Sequence, residues 1–223
     1  MLAQQEAVCE VAKSKKLVVM VSSIVYGFEE LLEQIFAVLT KYGYDVWMSH
    51  KGTVPVMSTR TAFENCLDAV EKCDLFLGLI TPQYGSGISK GELSITHLEL
   101  LRAIELNKPR WLLAHDHVVF ARTLLRSLGH KTPADRAKLT LGKNPVFGDL
   151  RVIDMYEAAI LQEFNLEDRK GNWVQKFVSP EEALLYASAQ FYRYQEVERF
   201  LDEHFASLKA TTDAATRKAR NDK

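Results

Sequence analysis

The sequence predicts an open, mostly parallel, doubly wound α/β sheet with a helical C-terminal appendage. Three observations predict it. Short, wholly apolar runs, above all Leu17–Val21 and Leu75–Ile80, have the composition of strands buried on both faces. Segments with apolar residues at helical spacing lie between these runs. Strand and helix alternate, with intervening stretches long enough for βαβ crossovers.

Residues 1–16 read as a polar lead-in, and 17–130 as the α/β domain. Leu17–Val21 is the first strand. Phe28, Leu31, Leu32, Ile35, Phe36 and Leu39 then define a helix, with Gly43 where a helix stop belongs. Val46-Trp47-Met48 is a second short strand. Phe63, Cys66, Leu67 and Val70 fall at i, i+3, i+4 and i+7, so Cys66 reads as a core residue of the next helix. Asp74–Ile80 is the strongest strand, followed by a turn-rich loop over 81–91. Leu93–Leu106 is a third helix, ended by Asn107-Lys108-Pro109, and Trp111–Ala114 a fourth strand. Residues 131–149 read as an irregular connection. Residues 150–208 form the helical appendage, with one helix from Arg151 and another opened by Ser179-Pro180-Glu181-Glu182 and running to about Leu208. The tail, 209–223, holds five basic and two acidic residues and no large apolar one, and is expected to be disordered.

Composition narrows the function classes. The 223 residues carry 28 Lys and Arg against 29 Asp and Glu, a net charge of −1, which does not suit a chain built to wrap nucleic acid. No apolar run reaches the length of a membrane span, and the N-terminal stretch lacks the apolar centre of a signal peptide. Three cysteines, Cys9, Cys66 and Cys73, are too few and too oddly spaced for a disulfide framework, so a cytoplasmic location is expected.

In an open parallel sheet, ligands bind outside the carboxyl ends of the strands. That rule selects Ser22, Ser23 and Tyr26 after the first strand and Ser49 after the second. After the third it selects Thr81, Tyr84, Gly85 and Ser86, with Thr96 and Glu99 on the helix beyond. Ser22-Ser23 reads either as a helix cap or as an anion site. The glycines of the 81–91 loop form neither a phosphate-binding P-loop nor a dinucleotide fingerprint. Glu99 has two readings. As a free carboxylate it would hold a ribose hydroxyl pair or stabilise an oxocarbenium ion; as the fourth residue of Thr96-His97-Leu98-Glu99 it would close a capping box. His115-Asp116-His117 lacks a third ligand at a recognised spacing, so no metal site is expected.

The ordered blocks Val18–Tyr26, Gly43–Ser49, Cys66–Ile80, Tyr84–Leu100 and Lys108-Pro109, with Trp173–Phe177 beyond them, resemble the DUF4062 domain family. The resemblance departs at Ile24, Gly27 and Gln83, where that family usually has Thr, Asp and Arg. It implies a flavodoxin-like (TIR-like) sheet related to nucleoside deoxyribosyltransferases. It also implies a nucleotide-binding domain, hydrolysing the N-glycosidic bond of NAD or a related nucleotide in bacterial antiphage defence. In that reading Glu99 is catalytic, and Ser22, Ser23, Tyr26, Ser49, Thr81, Tyr84, Gly85, Ser86 and Thr96 line the pocket. Ser22 and Ser23 would hold phosphate, Tyr84 would stack on a base and Tyr26 would wall the pocket. No cofactor is required beyond NAD or a nucleotide as ligand, and a homo-oligomer is implied. The alternative is a non-catalytic nucleotide-sensing or protein-interaction module of the same family.

Overall fold

A computed structural model describes residues 16–85, 92–142, 146–193 and 196–197. Five strands, β1 (Val18–Ser22), β2 (Asp45–Trp47), β3 (Leu75–Ile80), β4 (Arg110–His115) and β5 (Val174–Phe177), form one parallel sheet in the order β2-β1-β3-β4-β5. The expected open parallel sheet is present, with the flavodoxin-like strand order.

The period of two along each strand sends side chains to two layers. Val18, Met20, Phe76, Ile80, Leu112 and Ala114 face α2 (Ala62–Lys72), α3 (Ile95–Glu105), α4 (Asp116–Ser127) and α6 (Arg151–Ala159). Val19, Val21, Leu75, Leu77, Leu79 and Leu113 face α1 (Glu29–Lys41) and α7 (Pro180–Phe191). Burial on both faces is why β1 and β3 read as uninterrupted apolar runs. The helices form where the apolar spacing demanded. α1 buries Leu31, Leu32, Ile35 and Leu39, each contributing roughly 1.5–3 kcal/mol of transfer free energy. α2 starts on a capping box between Thr61 and Glu64.

Gly78 sits in the middle of β3, paired with Ser22 across the sheet. A Cβ there would lie 2.8 Å from Leu112 Cδ2 and 2.9 Å from Phe76 Cε1. Gly78→Ala is therefore expected to destabilise the fold by about 1–3 kcal/mol through overpacking. The urea unfolding midpoint measures this; an unchanged midpoint would mean that both neighbours shift at no cost.

The segment expected as a helical appendage is built into the sheet. β5 pairs with β4 in register Leu112↔Val174 to His115↔Phe177. α6 packs its Val152, Ile153 and Met155 into one layer, and α7 its Ala183, Ala187 and Phe191 into the other. The physical reason is the otherwise open edge of β4, whose central residues are fully buried. α7 has the expected start, with Ser179 Oγ accepting from the Glu182 N–H, but it closes at Phe191. Beyond it only residues 192, 193, 196 and 197 of the helix expected to reach Leu208 are described; the rest falls outside the described residues, as do most of the lead-in and the 209–223 tail. The 131–149 connection holds a one-turn helix, α5 (Pro133–Arg136), with its own capping box between Thr132 and Asp135. α5 delivers the buried Arg136 to α6, where its guanidinium reaches Asp154 Oδ1 at 2.5 Å and Glu157 Oε2 at 2.6 Å.

Candidate functional site

β1 leads to one neighbour, β2, through α1 on one face; the chain then crosses to its other neighbour, β3, through α2 on the opposite face. The strand order reverses between β1 and β3, and the carboxyl ends of those two strands form the crevice where such sheets bind ligands. Ser22 ends β1 at this point.

Glu99 reaches the same place from the second turn of α3. It is 4% exposed, and its Oε2 accepts a 2.5 Å hydrogen bond from Ser22 Oγ. Cys66 of α2 lies near enough for its thiol to influence the Glu99 carboxyl group. The capping-box reading of Glu99 is not what the chain does: Ser94 caps α3 by accepting from the His97 N–H. With Ser94 in that role, Thr96 and Glu99 lie inside the helix and both are buried. Burial pushes the Glu99 carboxyl up to about 7, against the opposing pull of the Ser22 hydrogen bond and the Cys66 thiol. Ser22 is a neutral donor, and among the described residues no cation pairs with Glu99. The Cys66 thiol is itself raised to about 12, first by burial and then by Glu99.

A second polar group lies on the same helix. Tyr84 is 3% exposed; its hydroxyl lies 2.8 Å from His97 Nδ1 and accepts from the Ser94 N–H at 3.3 Å. The Arg151 guanidinium covers the Tyr84 ring at 4.4 Å from its centroid and pairs with Asp149 Oδ2 at 2.7 Å. Burial and the nearby Arg151 charge lower the His97 imidazole to about 4. Tyr84 is thus an inward-facing side chain, and its ring would have to part from Arg151 to stack on a base.

The remaining candidates divide. Thr81 is buried and its hydroxyl donates to the Gln83 carbonyl at 3.1 Å. Gly85 has φ +79°, so glycine is needed for the turn, and the end of the Ile24 side chain lies against it. The structure thus brings together Ser22 and Glu99, and places Gly85 against the β1–α1 turn. Ser23 is half-buried, and its hydroxyl donates to the Ile24 carbonyl at 2.9 Å. Neither serine caps α1, whose N-cap is Phe28, and the first turn carries Glu29 and Glu30, which oppose an anion there. Tyr26 is 83% exposed, and Ser49 is exposed in a 3₁₀ turn after the edge strand β2. Ser86 lies outside the described residues. His115 accepts from the His117 N–H as the N-cap of α4, a structural role for that pair.

Three residues of this region escape selection by the strand-end rule: Cys66, His97 and Arg151. The signal for His97 was available, because α3 buries Thr96, His97 and Glu99 together, an unusual polar load for one inward face. Cys66 and Arg151 gave none: one has core spacing, the other lies at the end of an irregular connection.

Among the described residues, no helix is long and apolar enough to cross a membrane. No curated protein matches the chain. The family model described as "Domain of unknown function (DUF4062)" matches residues 18–183, from the first residue of β1 into α7. The chain belongs to the DUF4062 family.

Proposed function

We propose that this chain is a TIR-like nucleotide-binding domain in which Glu99 hydrolyses the N-glycosidic bond of NAD or a related nucleotide. The observation that carries the reading is the placement of the Glu99 carboxyl group beside Ser22 at the switch point, freed from helix capping. In the reaction, the bond between the base nitrogen and ribose C1′ breaks and its electron pair leaves with the base. Glu99, as carboxylate, stabilises the ribosyl cation, and water then adds to C1′ and loses a proton. Ser22 orients the carboxylate, while Thr96 and Gly85 border the crevice. A setting in bacterial antiphage defence and a homo-oligomeric working form rest on the family resemblance.

The raised proton affinity of Glu99 gives this reading a pH signature. The carboxylate forms as pH rises through about 7, so turnover is expected to rise through that range. Glu99→Gln is expected to lower NAD or nucleotide turnover about a hundredfold or more, with the far-UV circular dichroism unchanged. The assay is product chromatography over a range of protein concentrations that includes assembled forms. Equal turnover by wild type and Glu99→Gln would overturn the assignment of Glu99.

A second reading, a non-catalytic nucleotide-sensing or protein-interaction module, is favoured by the 4% exposure of Glu99 and its hydrogen bond from Ser22. A thermal shift separates the two. A nucleotide at a hundred times its Kd stabilises by about 2.7 kcal/mol. Such a shift without product selects the second reading, and no shift with no product removes nucleotide binding from both.

A further inference from the structure

We infer that the cleft between α5 and the start of α6 is a binding site for a small uncharged molecule with an apolar body and one N–H or O–H donor, the donor bonding to Asp154 Oδ2. The inference is independent of Glu99 and rests on the cleft and the hydrogen bonds of its wall. The cleft holds about 650 Å³, within the roughly 300–1,000 Å³ of small-molecule sites. Ala134 of α5, Ala137 at its C-terminal end, Leu139 and Leu141 of the connection, and Leu150 before α6 give it apolar walls.

Four charged residues also line it: Arg136, Asp149, Arg151 and Asp154. Three of them have spent their polar atoms inside the chain. Every side-chain nitrogen of Arg136 donates, to Asp154 Oδ1, Glu157 Oε2 or the Lys131 carbonyl. Every side-chain nitrogen of Arg151 donates, to Asp149 Oδ2 or the Glu92 carbonyl. Asp149 accepts on both oxygens, at Oδ1 from the Arg151 backbone N–H and at Oδ2 from its guanidinium. Asp154 differs. Both bonds from Arg136 arrive at Oδ1, and no described group donates to Oδ2. Its side chain is 23% exposed, against 2% for that of Arg136. An open carboxylate oxygen among apolar walls selects an occupant with a donor, because any other occupant would strip its water without replacing it.

Charge decides the rest. Two guanidinium groups and two carboxylates balance in the wall, so no net charge draws an ion in. An ammonium group at Asp154 would also face the Arg136 guanidinium, which already holds that carboxylate. An anion would meet guanidinium groups whose nitrogens are all engaged. An uncharged donor on an apolar body satisfies Oδ2 and covers the leucines.

The test uses the full chain and indole, an apolar body with one N–H, followed through the methyl resonances of Leu139, Leu141 and Leu150 by nuclear magnetic resonance. Indole should displace these resonances saturably at millimolar concentration. 1-Methylindole, which lacks the donor, should bind at least about tenfold more weakly. In the double variant Arg136→Met with Asp154→Leu, which removes the acceptor and leaves no guanidinium unpaired, the two probes should bind alike. Tryptamine, with its ammonium group, and indole-3-acetate, with its carboxylate, should both bind more weakly than indole. Three results would overturn the inference: no saturable displacement by indole, equal affinity of the wild-type chain for indole and 1-methylindole, or tighter binding of either charged probe. Should the double variant fail to fold, the comparison of probes on the wild-type chain decides alone.

Discussion

Glu99→Gln is expected to gain about 3 kcal/mol of stability over the wild-type chain as pH is raised from about 4 to about 8. The sign follows from the raised folded-state value. An unfolded Glu releases its proton near its ordinary value of 4.5, whereas the folded chain holds the Glu99 proton to about 7. The stability that Glu99 contributes is therefore fully present below pH 4.5 and is lost as pH rises through about 7. Gln keeps an oxygen acceptor for Ser22 and has no charge to bury, so the variant lacks this loss. His97 acts in the opposite direction. Its folded value of about 4 lies below the ordinary 6.5, so its contribution is present above 6.5 and disappears as pH falls through about 4. Between about pH 4.5 and 6.5 the two slopes oppose each other, and the wild-type profile should be nearly flat there. His97→Gln should expose the Glu99 slope, and Glu99→Gln the His97 slope. Urea unfolding of the three chains at several pH values measures both. Parallel profiles for all three would show that neither group is held away from its ordinary ionisation.

Arg136→Ala is expected to lose about 3–5 kcal/mol. The Arg136 side chain is 2% exposed, and its guanidinium bonds Asp154 Oδ1, Glu157 Oε2 and the Lys131 carbonyl. Glu157 also receives Arg122 Nε at 3.0 Å and Arg126 Nη1 at 3.5 Å, so it would retain cations after the truncation. Asp154 would keep no ion pair among the described residues, with only the more distant Arg151 charge acting on it, and burial already pushes its carboxyl up. The loss therefore belongs mainly to Asp154 and the empty space beside it. Arg136→Met with Asp154→Leu should recover most of the stability, since an apolar pair carries no desolvation penalty. A double variant as unstable as Arg136→Ala would place the loss in packing rather than in charge.

The legibility of this fold followed burial. Val18–Val21 and Leu75–Ile80 could be recognised because strands covered on both faces carry no polar alternation. β5 could not be placed on the same grounds. Val174-Gln175-Lys176-Phe177 is an edge strand with one apolar residue fully buried, and its lysine reaches out to Asp116. Four such residues look like loop until β4 is seen to need a neighbour. At the site, the strand-end rule selected both Ser22 and Glu99, but the capping-box pattern pointed to Thr96, whereas Ser94 begins α3. That two-residue difference decides whether Glu99 caps the helix or turns inward to Ser22. Ser49 and Tyr26 satisfied the rule and are nonetheless exposed, because the rule selects strand ends and not side-chain directions.

The position of β5 also sets a schedule for biosynthesis. The central strand β3 and its neighbour β1 leave the ribosome early, yet the sheet gains its last partner only when residues 174–177 have been made. A nascent chain paused near residue 150 presents the backbone of β4 as an unpaired, apolar edge, the kind of surface on which chains associate wrongly. Chaperone occupancy should therefore peak before β5 emerges and fall after it, and a chain shortened to its first four strands should be recovered as aggregate.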